Sequence, residues 1–257
     1  MKKVIINADD FGANSYINQA IIELLKKGII NSTSIMANMP GFDEAVNLAH
    51  QHNILNKIGV HLVLTEGNPL TEEIKSINFL FKGKNTFKNP LKHSLFFLND
   101  NIKKLIYYEF AAQIKKIKDS GITITHLDTH HHVHEYFAIT KILLELKKEY
   151  KIPFIRILNN LNKSTLFYKK IYRDIINYYI IRNKANFSDL FGDQLDVLLQ
   201  LKTTPEFLNQ NKTLEIMVHP DLNSEGLPID KCGKNHYNFN FVNALGKNFY
   251  EESSLSL

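Results

Sequence analysis

Apolar residues along the chain fall into short β-branched runs separated by longer stretches with helical spacing. The short runs predict strands at 4–7, 31–36, 58–65, 121–125, 153–158 and 214–218, with a further short strand near 187–192. Apolar residues three and four apart predict helices around 17–25 and 45–49, and at 102–120, 137–148, 164–184 and 195–201. Strands therefore alternate with helices, which is typical of right-handed βαβ units and a mainly parallel sheet.

About seven strands are enough to close a parallel α/β barrel. The sequence contains neither G-x-G-x-x-G nor G-x-x-x-x-G-K-[ST], so a nucleotide-binding doubly wound sheet lacks its signature. We predict one α/β domain over residues 1–257, with a long irregular insertion at about 66–101. That insertion is rich in phenylalanine, and it is either a small satellite core or a lid with an apolar, sugar-stacking wall; the residues are Phe79, Phe81, Phe87, Phe96 and Phe97.

The composition is that of an ordinary soluble globular protein, with 44% hydrophobic and 22% charged residues. The formal net charge is +5, but the lysines are scattered, so we interpret them as a solvated surface and predict no nucleic-acid partner. Cys232 is the only cysteine, which fits a reducing compartment. The apolar run at 4–7 is too short for a signal peptide and no run reaches membrane-spanning length, so we predict a cytoplasmic protein without a transmembrane segment.

The segment Thr125–His134 concentrates five of the 11 histidines in ten residues, directly after a predicted strand. Asp128 and His130 are two residues apart and share a face if the chain stays extended. Neutral imidazole is the commonest side-chain metal ligand, and a neighbouring carboxylate can orient it. A histidine-rich surface tract or a set of hydrogen-bonded core histidines is the alternative. The apolar residues that frame the cluster favour a metal site.

Asp9 and Asp10 are adjacent carboxylates at the end of the first predicted strand. Their repulsion and desolvation require a compensating positive charge, which a metal ion would supply. Alternatively one of them caps the following helix, although Asn14 can cap it without either acid.

Three further polar residues lie within or at the end of predicted strands. His61 lies within the third strand, where a lone histidine is more often a hydrogen-bonded core residue than a ligand. Arg156 is the one charge in its apolar run, either as an anchor for substrate or carboxylate or as an ion pair at a strand end. His219 follows the last strand. In a parallel barrel the carboxyl ends of the strands gather at one face. This architecture therefore brings His61 and His219 together with the Asp9–Asp10 pair and with Asp128 and His130.

Such a set of residues supports metal-assisted hydrolysis. The sequence has no G-x-S-x-G elbow, and Cys232 has no evident reactive setting, so nucleophilic acyl transfer is poorly supported. Three protein ligands leave a position for water, whose pKa the ion lowers. Asp9 would accept the proton of that water, and His219 would protonate the leaving amine.

Three segments, Asn7–Gly12, Gly59–Gly67 and Thr125–His134, resemble the signature blocks of the YdjC-type carbohydrate deacetylases, in the same order and spacing. The resemblance extends from Val4 to about Pro220. It implies a distorted (β/α) barrel, one divalent metal ion and removal of an N-linked acetyl group from a small amino sugar. It also implies that Asp10, His61 and His130 are the metal ligands and that Asp9 is the catalytic base. Magnesium is commonly described for the family, but two imidazoles suit zinc or cobalt better. The identity of the ion therefore stays open, with Mg and Zn as the candidates.

Further roles complete the predicted site. We assign Arg156, Asp128 and His132 to substrate binding, and expect His131, His132 and His134 to support the site without holding the metal. The segment after His219 departs from the family pattern, with Asp221 where glycine is usual. A homodimer is compatible with the resemblance. Two other functions stay open: deacetylation of a lipid-linked or glycolipid amino sugar, and non-catalytic metal or sugar binding, against which the spare carboxylate of Asp9 argues.

Overall fold

The computed structural model describes residues 1–83, 85–89, 95–96, 98–162, 166–183, 185–204, 206–232 and 235–245. The strands are β1 (Lys3–Phe11), β2 (Ser32–Ile35), β3 (Ile58–Leu62), β4 (Phe81–Lys82), β5 (Thr86–Phe87), β6 (His126–Thr129), β7 (Phe154–Ile155), β8 (Leu190–Asp193), β9 (Thr213–Val218), β10 (Pro220–Leu222), β11 (Pro228–Cys232) and β12 (Asn235–Tyr237). The helices are α1 (Ser15–Lys26), α2 (Phe42–Gln51), α3 (Asp100–Asp119), α4 (Phe137–Glu149), α5 (Phe167–Arg182), α6 (Gln194–Thr203) and α7 (Phe241–Leu245). Short 3₁₀ helices lie at Glu73–Ser76, Asn78–Leu80, His130–Glu135 and Phe207–Asn209.

Seven strands of the described chain form one sheet, in the order β7-β6-β3-β2-β1-β9-β8. All the pairings within it are parallel. The sheet curls until its edges approach, and a parallel bridge between Phe154 of β7 and Asn186, just before β8, joins them. The predicted distorted (β/α) barrel is therefore confirmed.

Helix α1 begins without the help of the two acids that precede it. The Asn14 side chain accepts a hydrogen bond from the backbone N–H of Ile17, which satisfies one of the free donors at the helix start. The prediction that Asn14 caps this helix is confirmed. Asp9 and Asp10 are consequently left to other partners.

A β-bulge near the end of β1 sets the direction of these two acids. Ala8 pairs with Thr33 and Phe11 with Ile35, so β1 advances three residues where β2 advances two. Asp10, inside this interval, has φ = 70°, in the left-handed region that non-glycine residues rarely adopt. Adjacent residues of a regular strand point to opposite faces. The bulge breaks that alternation and turns both carboxylates toward the barrel interior.

The strand expected at 121–125 is wrong, because β6 begins at His126. Ile122 and Ile124 are buried, but their segment is not a strand. Burial in the core explains the apolar pattern, whereas the residue-by-residue pairing with β3 starts opposite Val60, at Leu127. The histidine-rich segment therefore begins within the strand itself, and Asp128 lies in the sheet.

The 66–101 segment contains more structure than an irregular loop. Its hairpin β4–β5 stacks Phe81 on Phe87 with ring centroids 4.8 Å apart, and both side chains are buried. Phe79 packs against the same core. These three residues therefore belong to or pack against the main hydrophobic core of the domain, and they do not form a separate satellite core. Phe96 is half-exposed, and Phe97 lies outside the described residues. The division of the chain into one domain with this segment as an insertion stays a prediction.

Two further differences concern the ends of the sheet. The strand expected at 153–158 is only two residues long, and the chain beyond His219 forms an antiparallel sheet β10-β11-β12 that the sequence did not predict. No helix within the described ranges has the length and hydropathy of a membrane span.

Candidate functional site

Three side chains meet at the carboxyl ends of β1, β3 and β6. Oδ1 of Asp10 lies 3.3 Å from Nε2 of His61 and 3.1 Å from Nδ1 of His130. The two imidazole nitrogens are 3.3 Å apart. The predicted residues Asp10, His61 and His130 are thus brought together as one triangle of potential ligand atoms.

The triangle fits a divalent cation. A cation about 2.0–2.2 Å from each ligand atom would separate those atoms by roughly 3.0–3.5 Å, which is the spacing observed. The other nitrogen of His61, Nδ1, lies 2.7 Å from Oδ1 of Asp128. Assigning the Nδ1 proton to that contact leaves the lone pair on Nε2 facing the triangle. Oδ1 of Asp10 is buried and has no hydrogen-bond donor among the described residues, so a cation would satisfy it.

The second imidazole also faces a carboxylate on its far side. Nε2 of His130 lies 2.9 Å from Oε1 of Glu66, which follows β3. Each imidazole of the triangle is thus backed by one acid, Asp128 for His61 and Glu66 for His130. Sequence reasoning missed the role of Glu66, although its position within the Gly59–Gly67 block was a signal.

The charges within the triangle are already strongly coupled. Burial opposes ionisation of Asp10, but the neighbouring imidazoles of His130 and His61 hold the pKa of its carboxyl well below the usual range. Burial likewise disfavours the charged form of His61, yet the Asp128 and Asp9 carboxylates outweigh it and raise the pKa of that imidazole well above its usual value. The site therefore attracts positive charge, whether protons or a cation.

Arg156 lies inside the barrel and contacts three acidic side chains near the triangle. Its side chain is fully buried, and its guanidinium makes a bidentate pair with Asp9, with N–O distances of 2.7 and 2.8 Å. Nη1 also lies 2.8 Å from Oδ2 of Asp128, and Nε donates to Glu215 at 2.6 Å. One arginine thus fixes three buried acids. Its assignment to substrate binding stays a prediction, as does that of Asp128, whose oxygens face His61, Ser34 and Arg156.

Asp9 is held firmly, but its hydrogen-bonding capacity is not exhausted. Oδ1 accepts from Nδ2 of Asn7 and from Arg156, and Oδ2 accepts from Arg156. An ionised carboxylate has about four acceptor positions. Among the described residues three are used, so one acceptor position on Oδ2 remains for a further donor such as water.

The remaining clustered histidines form a strained turn. His131 and His132 both have φ near +50°, a conformation that costs non-glycine residues of order 1–3 kcal/mol each and is concentrated at functional sites. Nδ1 of His131 lies 2.9 Å from Thr65, and Nδ1 of His134 lies 2.6 Å from Thr129. Burial lowers the pKa of both imidazoles to about 4. They are therefore neutral hydrogen-bonding groups.

His132 and His219 lie near each other on the other side of the turn. His132 packs edge-on against Phe191, and burial, followed by the charges of His134, Arg156 and His219, holds its pKa well below the usual range. The backbone N–H of His219 donates to Oδ1 of the buried Asp230 at 2.7 Å. Burial raises the pKa of Asp230 to about 6. Sequence reasoning did not identify Asp230.

A cavity of about 370 Å³ opens at the opposite end of the barrel, beside the first residues of β1, β2 and β9. Arg156 and Glu215 line it, whereas none of the three triangle residues does. The chemistry is concentrated at the carboxyl ends of the strands, as expected for a parallel barrel. We therefore assign the functional site to the triangle and not to this cavity.

Comparison with known proteins identifies relatives of the whole chain. The family model described as YdjC-like protein matches residues 3–241. A carbohydrate deacetylase of Brevibacillus brevis is 33% identical over 218 residues, which are 85% of this chain and 81% of the relative. A carbohydrate deacetylase of Clostridium beijerinckii is 35% identical over 220 residues, with the same coverage. A crystal structure from Enterococcus faecalis, named for a proposed role in cellobiose-phosphate cleavage, superposes with a TM-score of 0.67 and 27% identity over 88% of this chain and 83% of that one.

Proposed function

Because this chain belongs to the YdjC-like family, whose matching relatives are named carbohydrate deacetylases, we propose that it is a metal-dependent hydrolase that removes the N-acetyl group from a small amino sugar. A disaccharide containing N-acetylglucosamine is the substrate we favour. One observation carries the proposal: ligand atoms of Asp10, His61 and His130 converge, and His61 also lies within 4.8 Å of a buried carboxylate, Asp9.

The reaction is the hydrolysis of an amide. The oxygen of water adds to the acetyl carbonyl carbon, the C–N bond breaks, and acetate and a free sugar amine are the products. We propose that Asp9 takes the proton of the water through the acceptor position left on Oδ2, and that His219 supplies a proton to the leaving nitrogen. Arg156 acts through Asp9, because its two N–H groups fix the plane of that carboxylate.

We propose that Asp10, His61 and His130 hold one divalent cation, either Mg or Zn. When bound, such a cation supplies Lewis acidity to a carbonyl oxygen and lowers the pKa of a water molecule. Asp128 and Glu66 orient the two imidazoles. Two nitrogen ligands favour zinc on ligand preference.

Substrate contacts belong to the rim of the site in this proposal. Of the three residues assigned to substrate from the sequence, His132 is partly exposed, whereas Arg156 and Asp128 are fully buried and support other side chains. A glycolipid substrate would need an apolar wall. Phe81 and Phe87 are buried in the main hydrophobic core, so among the described phenylalanines of that segment Phe96 is the half-exposed one. A small sugar is therefore the favoured substrate.

The proposal includes a cytoplasmic location and a homodimer. A single cysteine cannot form an intramolecular disulfide, which supports a reducing compartment.

Acetate release from a panel of N-acetylated sugars and glycolipids tests the function. The parent protein should release acetate from at least one small amino sugar when supplied with Zn²⁺ or Mg²⁺. Asp9→Asn is nearly isosteric and should retain metal, while turnover falls by about 10²–10⁴-fold, the usual effect of losing a general base. Asp100→Asn, at a highly exposed carboxylate, is the matched control and should leave turnover unchanged.

Each alternative gives a different result. Acetate release from glycolipids alone would identify the lipid-linked substrate. Tight sugar binding without acetate release from any member of the panel would identify a binding protein. Near-parental turnover of Asp9→Asn would show that Asp9 is not the base.

A further inference from the structure

The interior of the barrel is open at the end where the strands begin. A parallel barrel normally fills its interior with layers of bulky branched side chains. Here three small polar residues line it, Ser32 of β2, Ser188 before β8 and Thr213 of β9. The cavity that results has a volume of about 370 Å³, within the range of roughly 300–1,000 Å³ that is typical of small-molecule sites. We call it the lower cavity.

His126 forms one wall of the lower cavity because β3 carries a glycine beside it. A Cβ added at Gly59 would lie 2.3–2.4 Å from three atoms of the His126 ring, so the ring lies directly over the glycine backbone. Burial lowers the pKa of this imidazole, which is therefore neutral. The wall that it forms adds no charge to the cavity.

Two lysines stand at the opening of the lower cavity. Both Lys2 and Lys3 line it, the first exposed and the second half-buried. Burial lowers the pKa of Lys3, and no acid of the described chain offsets this effect. A half-buried ammonium without a carboxylate beside it is unfavourable. An anionic group of a ligand at the opening would supply the missing partner.

The inner end of the lower cavity offers a hydrogen-bond acceptor. Glu215 of β9 pairs with Ile5, two residues further along β1 than Lys3 and thus roughly 7 Å deeper. Its Oε1 accepts from Nε of Arg156 at 2.6 Å, and its Oε2 accepts from the Ser188 hydroxyl at 3.3 Å. An ionised carboxylate has about four acceptor positions. Among the described residues two are used, so Glu215 can also accept from a ligand hydroxyl.

The rest of the lining is largely apolar. Ile5, Phe154, Ile155 and Phe187 contribute to it. The two phenylalanines lie where the edges of the sheet meet, since Phe154 bridges to Asn186. Aromatic rings pack favourably against other rings in offset or edge-to-face contact. The body of a ligand that fits this lining is therefore flat and aromatic.

We propose that the lower cavity binds a small aromatic carboxylate with a hydroxyl group opposite the carboxylate, and 4-hydroxybenzoate is the probe of this class. The carboxylate pairs with Lys3, the hydroxyl donates to Glu215, and the ring packs against the phenylalanines. One ring with polar groups at its two ends suits the step of roughly 7 Å between the two protein groups. Inorganic phosphate would satisfy only the lysines, and a cation would be repelled by them. This site is separate from the triangle and does not depend on the proposed function.

The test is calorimetric titration of the full chain with 4-hydroxybenzoate. The titration is carried out in EDTA, because a carboxylate can also ligate a metal held by the triangle. The parent should bind one molecule per chain. Lys3→Gln should weaken binding by about 10-fold or more, because it removes a charge-assisted contact. Lys212→Gln makes the same change at an exposed lysine outside the cavity lining, and it should leave the affinity unchanged.

A second variant tests the location from inside the cavity. Ser188→Leu fills part of the space and removes a hydroxyl, so it should abolish binding, with circular dichroism as the check that it is folded. If it does not fold, Lys3→Gln at the opening still decides the question.

Three results would overturn the proposal. The first is no binding of 4-hydroxybenzoate by the parent at millimolar concentrations. The second is parental affinity in Lys3→Gln or in folded Ser188→Leu, which would place the ligand elsewhere. The third is equal binding of inorganic phosphate, which would show a site for simple anions without selection for an aromatic body.

Discussion

Replacing Arg156 with lysine tests the network at the centre of the barrel. The guanidinium reaches three carboxylates with four contacts of 2.6–2.8 Å, to Asp9, Asp128 and Glu215. A lysine ammonium is a single point and cannot reproduce the planar fork. Arg156→Lys keeps the positive charge of the interior, so its effect reports the loss of the directed hydrogen bonds of the guanidinium.

The expected cost follows from the hydrogen bonds that a lysine at this position cannot make. At least two charge-assisted hydrogen bonds disappear, each worth about 1.5–3 kcal/mol. Breaking a buried ion pair costs about 3–5 kcal/mol, which is the same range. For a chain of this length a loss of 3–5 kcal/mol corresponds to a fall in Tm of roughly 6–20 °C. Asp9 would lose its fixed plane, so turnover should fall by about 10²-fold or more.

Urea denaturation, metal analysis and acetate release measure these effects separately. Metal should be retained, because Arg156 contacts none of the atoms of the triangle. Arg173→Lys, at a partly exposed pair with Glu135, is the control and should change the free energy of unfolding by less than about 1 kcal/mol. If the free energy of unfolding of Arg156→Lys is within about 1 kcal/mol of that of the parent, and its turnover is unchanged, the guanidinium does not organise the site as described.

Three further predictions concern the metal and the ionisable groups. His61→Ala and His130→Ala should each lose the divalent cation in elemental analysis, and full occupancy in both would contradict the ligand assignment. Glu66→Gln should weaken metal binding by about 10–100-fold in calorimetric titration, since Glu66 backs the His130 ring, whereas Glu72→Gln at an exposed pair should not. Asp230→Asn should flatten the dependence of stability on pH between about 4 and 6. In the parent the raised pKa of Asp230, about 6, means that its contribution to the free energy of unfolding decreases as pH rises through this range, so a parallel decrease in the variant would contradict the assignment.

Much of the fold could be predicted from the spacing of apolar residues and from the residues that begin and end each element. The alternation of β-branched runs and helical spacing predicted parallel strands, and the cap at Asn14 was visible as a residue type in the right place. The error at 121–125 has a definite cause: Ile122 and Ile124 are buried without pairing in the sheet. A buried segment outside the sheet and a paired strand show the same apolar pattern in the sequence, so the pattern alone does not distinguish them.

The triangle was predictable in composition but not in geometry. Residue types and family blocks indicated Asp10, His61 and His130. No signal in the sequence indicated the bulge in β1. Nor did the sequence indicate the positive φ of Asp10, because that position is occupied by neither glycine nor asparagine. Without that bulge the two adjacent acids would face opposite sides of the sheet, and only one of them could reach the barrel interior.

The partners of Arg156 show which signal was available and unused. Arg156 and Glu215 are each the one charge in an otherwise apolar strand segment. A lone charge in a buried strand needs an opposite charge nearby, because an unpaired buried ion is too costly to keep. Two such strands with opposite lone charges therefore predict their own pairing across the barrel, and the observed 2.6 Å contact is that pair. The same reasoning connects the fold to the site. An arginine that pairs with both Glu215 and Asp128 is fixed in position, and it can then hold Asp9 in one orientation.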